Sequence, residues 1–217
     1  MDFALIVEYL PRLLQAALVT IEVSLLSLIL ATVMGLVVAL MRTSRRRWLY
    51  LPAVAYTEVL RSVPTLVLLF LMFFALPALL GLNIPNFPAA VLALGLAGSA
   101  SMAEIIRGGI EAIGHGQWEA AHSLGLHYPA ILRFVIMPQA LRLSIPPAIS
   151  LYVALIKDSS LILLVGVVEL TTVGMSIRSL THGRASLAVF LTMGVMYFII
   201  CTTVAILGDR LERRLRI

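Results

Sequence analysis

The sequence predicts an all-α membrane protein with five transmembrane helices. Of its 217 residues, 61% are hydrophobic and 12% are charged, whereas a soluble domain is about half apolar and about a quarter charged. The mean hydropathy is +1.04. Apolar runs of about 20 residues or more, the length that crosses a bilayer as a helix, recur along the chain. Since there is no long internal repeat and no low-complexity tail, residues 1–217 are predicted to form one transmembrane domain.

Charged or helix-breaking residues separate the five apolar runs. An arginine cluster ends the first run, and the segment GLNIPNFP at 81–88, rich in Gly, Asn and Pro, follows the second. A long polar loop at 108–139 follows the third run, and a polar connection at 169–186 follows the fourth. The predicted spans are residues 13–41, 50–80, 89–106, 140–168 and 187–207.

The net charge of +5 indicates membrane topology rather than binding to nucleic acid, because Lys and Arg accumulate in cytoplasmic loops. Five spans place the two termini on opposite sides of the membrane. If the arginine cluster at 42–47 is cytoplasmic, the long loop and the basic C-terminal tail are cytoplasmic too. Only three arginines then remain outside: Arg12, Arg178 and Arg184. The N-terminus is therefore predicted to lie outside. The first helix is predicted to be retained, because the first run is too long for a signal-peptide core.

The polar loop at 108–139 carries the most distinctive pattern in the chain. Residues 119–138 read EAAHSLGLHYPAILRFVIMP, with a helix-forming start, a Gly that can end a helix in the left-handed conformation, and a final Pro, Pro138, that is expected to act as a stop. We expect four glycines to interrupt the chain before this short helix: Gly108, Gly109, Gly114 and Gly116. A helix resting on headgroups usually presents basic residues, whereas this one offers Glu119 and His122. The loop is therefore predicted to bind another protein.

The chain has no sequence signature of catalysis. A nucleotide-binding P-loop ends in Gly-Lys-Ser/Thr, and the only lysine, Lys157, follows Ile156 in an apolar run. A membrane-embedded hydrolase would need Gly-x-Ser-x-Gly or His-Glu-x-x-His, and neither occurs. The loop histidines, His115, His122 and His127, have no standard metal-ligand spacing. If the protein drives uphill transport with ATP, another subunit must hydrolyse it.

The loop motif resembles the EAA motif of the membrane subunits of ATP-binding-cassette importers. That motif is Glu-Ala-Ala, three residues, Gly, nine residues, then Ile-x-Leu-Pro, and here Val135 and Met137 are conservative departures from it. The segments at 57–70, 103–113, 116–125 and 137–161 also resemble the short, five-helix permeases of histidine, arginine and glutamine systems. The resemblance is good over roughly residues 55 to 170. The residues in register with the motif, or directly before it, are Gly116, Gln117, Trp118, Glu119, Ala120, Ala121, Gly125 and Pro138.

The resemblance implies the type I importer (MetI-like) fold, a bacterial inner-membrane location, and a polar amino acid or a close derivative as substrate. It also implies a second permease subunit, identical or related, and two cytoplasmic ATP-binding subunits that use ATP and Mg²⁺. An extracytoplasmic substrate-binding protein would complete the system. The loop would then be the coupling segment that the ATPases grip, with Ala120 and Ala121 forming a small-residue face that permits close approach. This chain itself would carry no cofactor.

Polar residues within the spans are candidates for the substrate pathway. Glu104 and Arg107 are i, i+3 neighbours that can pair on one helix face. A polar quartet interrupts the fourth span: Lys157, Asp158, Ser159 and Ser160. Because charges at membrane depth normally face a cavity or a partner, we hypothesise that Asp158 lines the pathway and that the two serine hydroxyls bind the carboxylate of an amino-acid substrate. A structural polar network between subunits is the alternative for the quartet, and a local ion pair is the alternative for Glu104.

An ion-coupled secondary transporter is the alternative function. Such carriers use intramembrane carboxylates and often contain internal repeats. Glu22, Glu104 and Asp158 supply carboxylates, but no repeat is evident and the loop motif has no role in such a carrier. Co-purification with a nucleotide-binding subunit distinguishes the two classes.

Overall fold

The computed structural model describes residues 3–44 and 46–215, and the side chains of 7–44 and 46–214. The described residues form helices and contain no β-strand. Eight helices are numbered here in chain order: α1 Phe3–Arg42, α2 Arg47–Ser62, α3 Thr65–Leu80, α4 Asn86–Glu111, α5 His115–Ser123, α6 Tyr128–Val165, α7 Leu170–Leu180 and α8 Ser186–Leu215.

Within the described residues, α1, α4, α6 and α8 are each long and apolar enough to cross a membrane. The bent pair of α2 and α3 supplies a fifth candidate span when it is counted as one. The predicted all-α, five-helix fold class agrees with this arrangement. Most helix ends lie beyond the predicted spans, because hydropathy marks the apolar part of a helix and not its polar ends. An exception is α6, which ends at Val165, before the predicted end at 168.

The prediction of one span over 50–80 is wrong in shape, because α2 and α3 meet at an angle of 106°. The helix is broken at Val63 and Pro64, which adopt extended backbone conformations with ψ of 129° and 138°. A proline disfavours the α conformation of the residue before it, which accounts for the break. At about 1.5 Å per residue, neither helix alone covers a hydrocarbon core of about 30 Å.

Two helices widen by one residue just before a proline. π-helical turns occupy Leu71–Ala75 in α3, ahead of Pro77, and Leu132–Ile136 in α6, ahead of Pro138. A proline within a helix removes one hydrogen bond, and its ring clashes with the carbonyl four residues earlier, so a wider turn relieves the conflict. The expectation that Pro138 acts as a stop is therefore wrong: α6 runs through it to Val165.

A close helix contact explains the presence of Gly109, one of two predicted helix breakers, inside a helix. Gly108 and Gly109 both lie inside α4, which continues to Glu111. A Cβ on Gly109 would lie 2.7 Å from the carbonyl oxygen of Ala140 in α6. Earlier in α4, Cβ of Met102 would lie 2.7 Å from a Cβ on Gly35 of α1. Small residues let membrane helices approach closely, so Gly35 and Gly109 are packing residues, whereas a Cβ on Gly108 would meet nothing within 4 Å.

The connection predicted at 169–186 contains a helix, α7, which begins at a fully buried Glu169. The carboxylate of Glu169 accepts hydrogen bonds from the backbone N–H groups of Thr171 and Thr172, at 2.9 and 2.8 Å. The hydroxyl of Tyr197, in α8, donates to it at 3.0 Å, and the hydroxyl of Thr20, in α1, at 3.3 Å. One carboxylate thus caps α7 and joins it to two spanning helices.

Candidate functional site

The loop between α4 and α6 is built around the short helix α5, and Gly125 ends that helix. The N–H of Leu126 donates to the carbonyl of Ala121 at 3.2 Å, and the N–H of Gly125 donates to the carbonyl of His122 at 2.9 Å. This pair of bonds is the Schellman motif, which requires a left-handed residue after the helix. Gly125 has φ of 75°, so its predicted role as a left-handed terminator agrees with the geometry.

The two alanines of the EAA segment lie on different faces of α5. Ala121 is buried against the ends of α4 and α6 that the loop joins, in a cluster with Ile113 and Ile131. Ala120 and Glu119 are exposed. The expected small-residue face made of both alanines is therefore wrong, because only Ala120 is available to a partner.

The remaining loop residues fix the orientation of α5. The ring of Trp118 stacks on that of Tyr128, in the first turn of α6, with centroids 5.8 Å apart and an interplanar angle of 21°. The side-chain amide of Gln139 donates to that of Gln117 at 3.3 Å. Gly114 directly precedes α5, whereas Gly116, an expected breaker, lies within it. These contacts seat one side of α5 on α6 and leave the other side exposed.

Glu104 lies at the centre of an ion cluster that joins three helices. Its Oε2 lies 2.8 Å from Nη2 of Arg107, which is the i, i+3 pair that the sequence predicts. Its Oε1 accepts from Arg42 at the end of α1, and Arg61 of α2 approaches within 4.0 Å. Arg107 also pairs with Glu111. The side chain of Glu104 is only 18% exposed, so the carboxylate serves mainly these arginines.

The sequence did not indicate the partners from other helices. Arg42 and Arg61 are 62 and 43 residues away from Glu104 along the chain, and no local spacing connects them to it. The guanidinium of Arg42 also donates to the hydroxyl of Thr57 at 2.6 Å. The available signals were Arg42, which ends the first apolar run, and Arg61, which is a charged residue within the run at 50–80.

The polar quartet lies where α6 changes from an α-helix to a 3₁₀-helix. Lys157 and Asp158 end the α-helical part, and Ser159 begins the 3₁₀ turn at Ser159–Val165. Lys157 is exposed and Asp158 is half-buried. Within the described part of the chain, Asp158 has no ion-pair partner, and its Oδ2 accepts from the hydroxyl of Thr65 at 3.4 Å.

The two serines are occupied by their own helix. The hydroxyl of Ser159 donates to the carbonyl of Ile156, and that of Ser160 to the carbonyl of Lys157, each at 2.7 Å. Because a hydroxyl has a single proton to donate, neither serine is free to donate to a ligand carboxylate in this conformation. The hypothesis that they bind such a carboxylate has no support from the geometry.

No cluster of three or more metal-ligating side chains occurs among the described residues. His115, His122 and His127 are all exposed. Their positions fit solvated loop residues.

Known proteins match this chain along almost its whole length. The family model of the binding-protein-dependent transport system inner membrane component matches residues 6–217. A probable glutamine ABC transporter permease protein of Bacillus subtilis is 36% identical over 208 residues, covering 95% of each chain. The glutamine transport system permease protein of Escherichia coli K12 is 35% identical over 217 residues, covering 100% of this chain and 98% of the relative.

Solved structures agree in fold. An amino acid ABC transporter with histidines has a chain that superposes with a TM-score of 0.91 at 34% identity, covering 99% of both chains. A chain of the MetNI methionine ABC transporter, in an inward-facing form, superposes with a TM-score of 0.84 at 23% identity, covering 97% of this chain and 99% of its own, and shows the shared fold. The family and the type I importer fold expected from the EAA motif are confirmed, and the ion-coupled alternative finds no support. The chain therefore belongs to the inner-membrane components of binding-protein-dependent transport systems, as the membrane-spanning subunit of an importer.

Proposed function

We propose that this permease forms the translocation pathway for a polar amino acid or a close derivative. The observation that carries the proposal is identity of 31–36% with relatives named for glutamine and arginine transport, over at least 95% of this chain. The Gly-Gln-Trp sequence before Glu119 supports the same subgroup. The chain would work with a second permease subunit, two cytoplasmic ATP-binding subunits that use ATP and Mg²⁺, and an extracytoplasmic binding protein.

The exposed side of α5 is the proposed contact with an ATP-binding subunit. That side carries Gly116, Glu119 and Ala120, and it continues into Leu124, which is 80% exposed. An exposed leucine at the end of a short polar helix is suited to a groove on another protein, since burying it is worth roughly 1.5–3 kcal/mol. Gln117, Trp118, Ala121, Gly125 and Pro138 would then support this contact by holding α5 on α6.

The proposed orientation has the N-terminus outside and the C-terminus in the cytoplasm. It places the coupling segment, the arginines that precede α2, and the exposed Arg213 and Arg214 of α8 on one side of the membrane. The excess of arginine on that side supports the assignment through the positive-inside rule. In a Cys201→Ser background, we expect Ser123→Cys to be labelled from the cytoplasmic side only. Labelling from outside only would reverse the orientation.

The proposed substrate pathway includes Asp158, with Lys157 beside it. A half-buried carboxylate whose intrachain partner is a neutral hydroxyl keeps its charge available for a cationic group. An amino acid supplies both an ammonium and a carboxylate. Glu104 is better explained as the centre of a structural ion cluster, because its charge is already matched by arginines.

Reconstitution tests the proposal. The permease is purified with the ATP-binding subunit that co-elutes, placed in vesicles, and supplied with its binding protein and a panel of labelled amino acids. We expect uptake that requires ATP and is restricted to a few polar amino acids. Uptake driven by a proton or sodium gradient without ATP would overturn the importer assignment, and ATP-driven uptake of a sugar or metal instead would overturn the substrate class.

A further inference from the structure

Helix α2 presents three distinct faces. Ala53 and Thr57 are buried against α1 and α4. A second face, called the interface stripe here, is exposed and apolar and consists of Trp48, Leu51, Ala55 and Val59. The spacing of three and four residues places these four side chains on one side of the helix. The third face is exposed and polar, and it carries Arg47, Glu58 and Arg61.

Positive charge is concentrated where α2 begins. From residue 42 to residue 57 the sequence contains four arginines and no Asp or Glu. Arg42 is held by Glu104. Arg46 and Arg47 are exposed, directly beside Trp48, which is 67% exposed, and two residues before the exposed Tyr50. The start of α2 thus combines two exposed guanidinium groups with two exposed aromatic rings.

The position of α2 in the fold favours the membrane surface. Only four residues separate it from the end of α1, so it begins where that spanning helix leaves the bilayer. It turns by 106° from α3 and is too short to cross the hydrocarbon core alone. Trp and Tyr prefer the membrane–water interface, and arginine clusters next to a spanning helix attract anionic lipids.

We propose that the first turns of α2 form a binding site for an anionic phospholipid headgroup. The interface stripe lies at the acyl boundary, and Arg46 and Arg47 contact the lipid phosphate. Two guanidinium groups select a lipid with net negative charge, because a zwitterionic headgroup offers its own cation beside the phosphate. The inference does not depend on the proposed substrate or orientation, since lipid contact is measurable in symmetric vesicles without transport.

Trp48 itself is the probe. The chain has two tryptophans, so Trp118→Phe leaves Trp48 as the only one, with an aromatic ring retained in α5. The purified variant is placed in vesicles that contain equal mole fractions of either brominated phosphatidylglycerol or brominated phosphatidylcholine, and quenching of tryptophan fluorescence is measured at low salt. We expect brominated phosphatidylglycerol to quench Trp48 more strongly than brominated phosphatidylcholine does. Each arginine near the surface favours an anionic lipid by roughly five-fold.

Two double variants in the same background provide the comparison. Arg46→Gln with Arg47→Gln should remove the preference for phosphatidylglycerol while leaving quenching by both lipids. Arg213→Gln with Arg214→Gln removes the same charge from exposed positions in α8 and should retain the preference. Equal quenching by the two lipids before any arginine is changed would overturn the proposal. Absence of quenching by either lipid would also overturn it, since the stripe would then be covered by protein.

Discussion

The hydroxyl oxygen of Thr65 lies 3.4 Å from Oδ2 of Asp158. This contact joins the first turn of α3, just after the break at Pro64, to the point where α6 changes its helical form. Two interruptions in spanning helices therefore meet at one carboxylate. Because irregular backbone within a membrane is tolerated mainly where it is buried in protein or lines a cavity, this is the part of the chain where we place the pathway.

Asp158→Asn should abolish most uptake and leave folding intact. The substitution keeps the shape and the hydrogen bond with Thr65 but removes the charge. Uptake should fall by roughly ten-fold or more, the size expected when a hydrogen bond to a charged group is weakened. ATPase stimulation by the loaded binding protein, measured in the same vesicles, should persist.

Thr65→Val is the matched control, because it removes the hydroxyl and keeps the carboxylate. It should retain most uptake. Loss of assembly in Asp158→Asn would instead indicate a network between subunits, and unchanged uptake would reject both roles.

Glu104→Gln should destabilise the protein by about 3 kcal/mol, near the lower end for breaking a buried ion pair. Three arginines from three helices lose their counter-charge at once. Glu111→Gln is the control, since Glu111 is 63% exposed and, among the described residues, forms an ion pair only with Arg107. An exposed pair of this kind is worth about 0.5 kcal/mol. Thermal unfolding in detergent compares the two, and equal shifts would contradict the central role of Glu104.

Exchanging Glu104 and Arg107 should also lower stability. If Glu104 and Arg107 formed only a local ion pair, the exchange would largely preserve expression. The structure corrects that expectation, since an arginine at position 104 would face Arg42 and Arg61. Expression at the unmodified level after the exchange would show that the helix-to-helix pairs contribute little.

Gly109→Ala should be destabilising, whereas Gly108→Ala should not. A Cβ at Gly109 would meet the backbone oxygen of Ala140 at 2.7 Å, and a main-chain atom cannot rotate away. Overpacking of this kind costs roughly 1–3 kcal/mol. Nothing lies within 4 Å of a Cβ at Gly108, where alanine gains up to about 1 kcal/mol in helix propensity. Unfolding midpoints that shift in the same direction would contradict the packing argument.

Gly125→Val should uncouple ATP hydrolysis from uptake. A β-branched residue opposes the left-handed conformation that closes α5, at about 1–2 kcal/mol, although the space around a Cβ there is open. The helix end should reorganise and misplace Leu124. Gly125→Asn is the control, because asparagine tolerates positive φ. Full coupled transport by the valine variant would show that this helix end has no part in coupling.

Hydropathy and one motif predicted the class of protein, and long-range contacts account for what they missed. The number of spans depends on summed transfer free energies, which need no tertiary knowledge. The left-handed role of Gly125 depends on local backbone chemistry. By contrast, Gly109 was predicted to break a helix. Its packing partner, Ala140, lies 31 residues later in the sequence, so no local pattern indicates the contact.

The sequence did not predict helix α7 or the bend at Val63, because the local signal was absent in the first case and contradicted by its neighbours in the second. Glutamate is not a favoured N-cap residue, so the start of α7 at Glu169 has no standard signal. The X-Pro pair at 63–64 is a sign of a helix boundary, but the apolar residues around it suggested one continuous span. The partners of Glu104 needed the fold itself.

Short links on both sides of α5 have a mechanical consequence. Only three residues, 112–114, join it to α4, and only four, 124–127, join it to α6. The first link is held to the end of α4 by hydrogen bonds from the N–H groups of Ala112 and Ile113 to the carbonyls of Gly108 and Ile110. The Schellman turn and the stacked rings of Trp118 and Tyr128 hold the second link. A push on α5 of a few ångströms must therefore displace α4 and α6 as well. α5 acts as a lever rigidly fixed to two spanning helices.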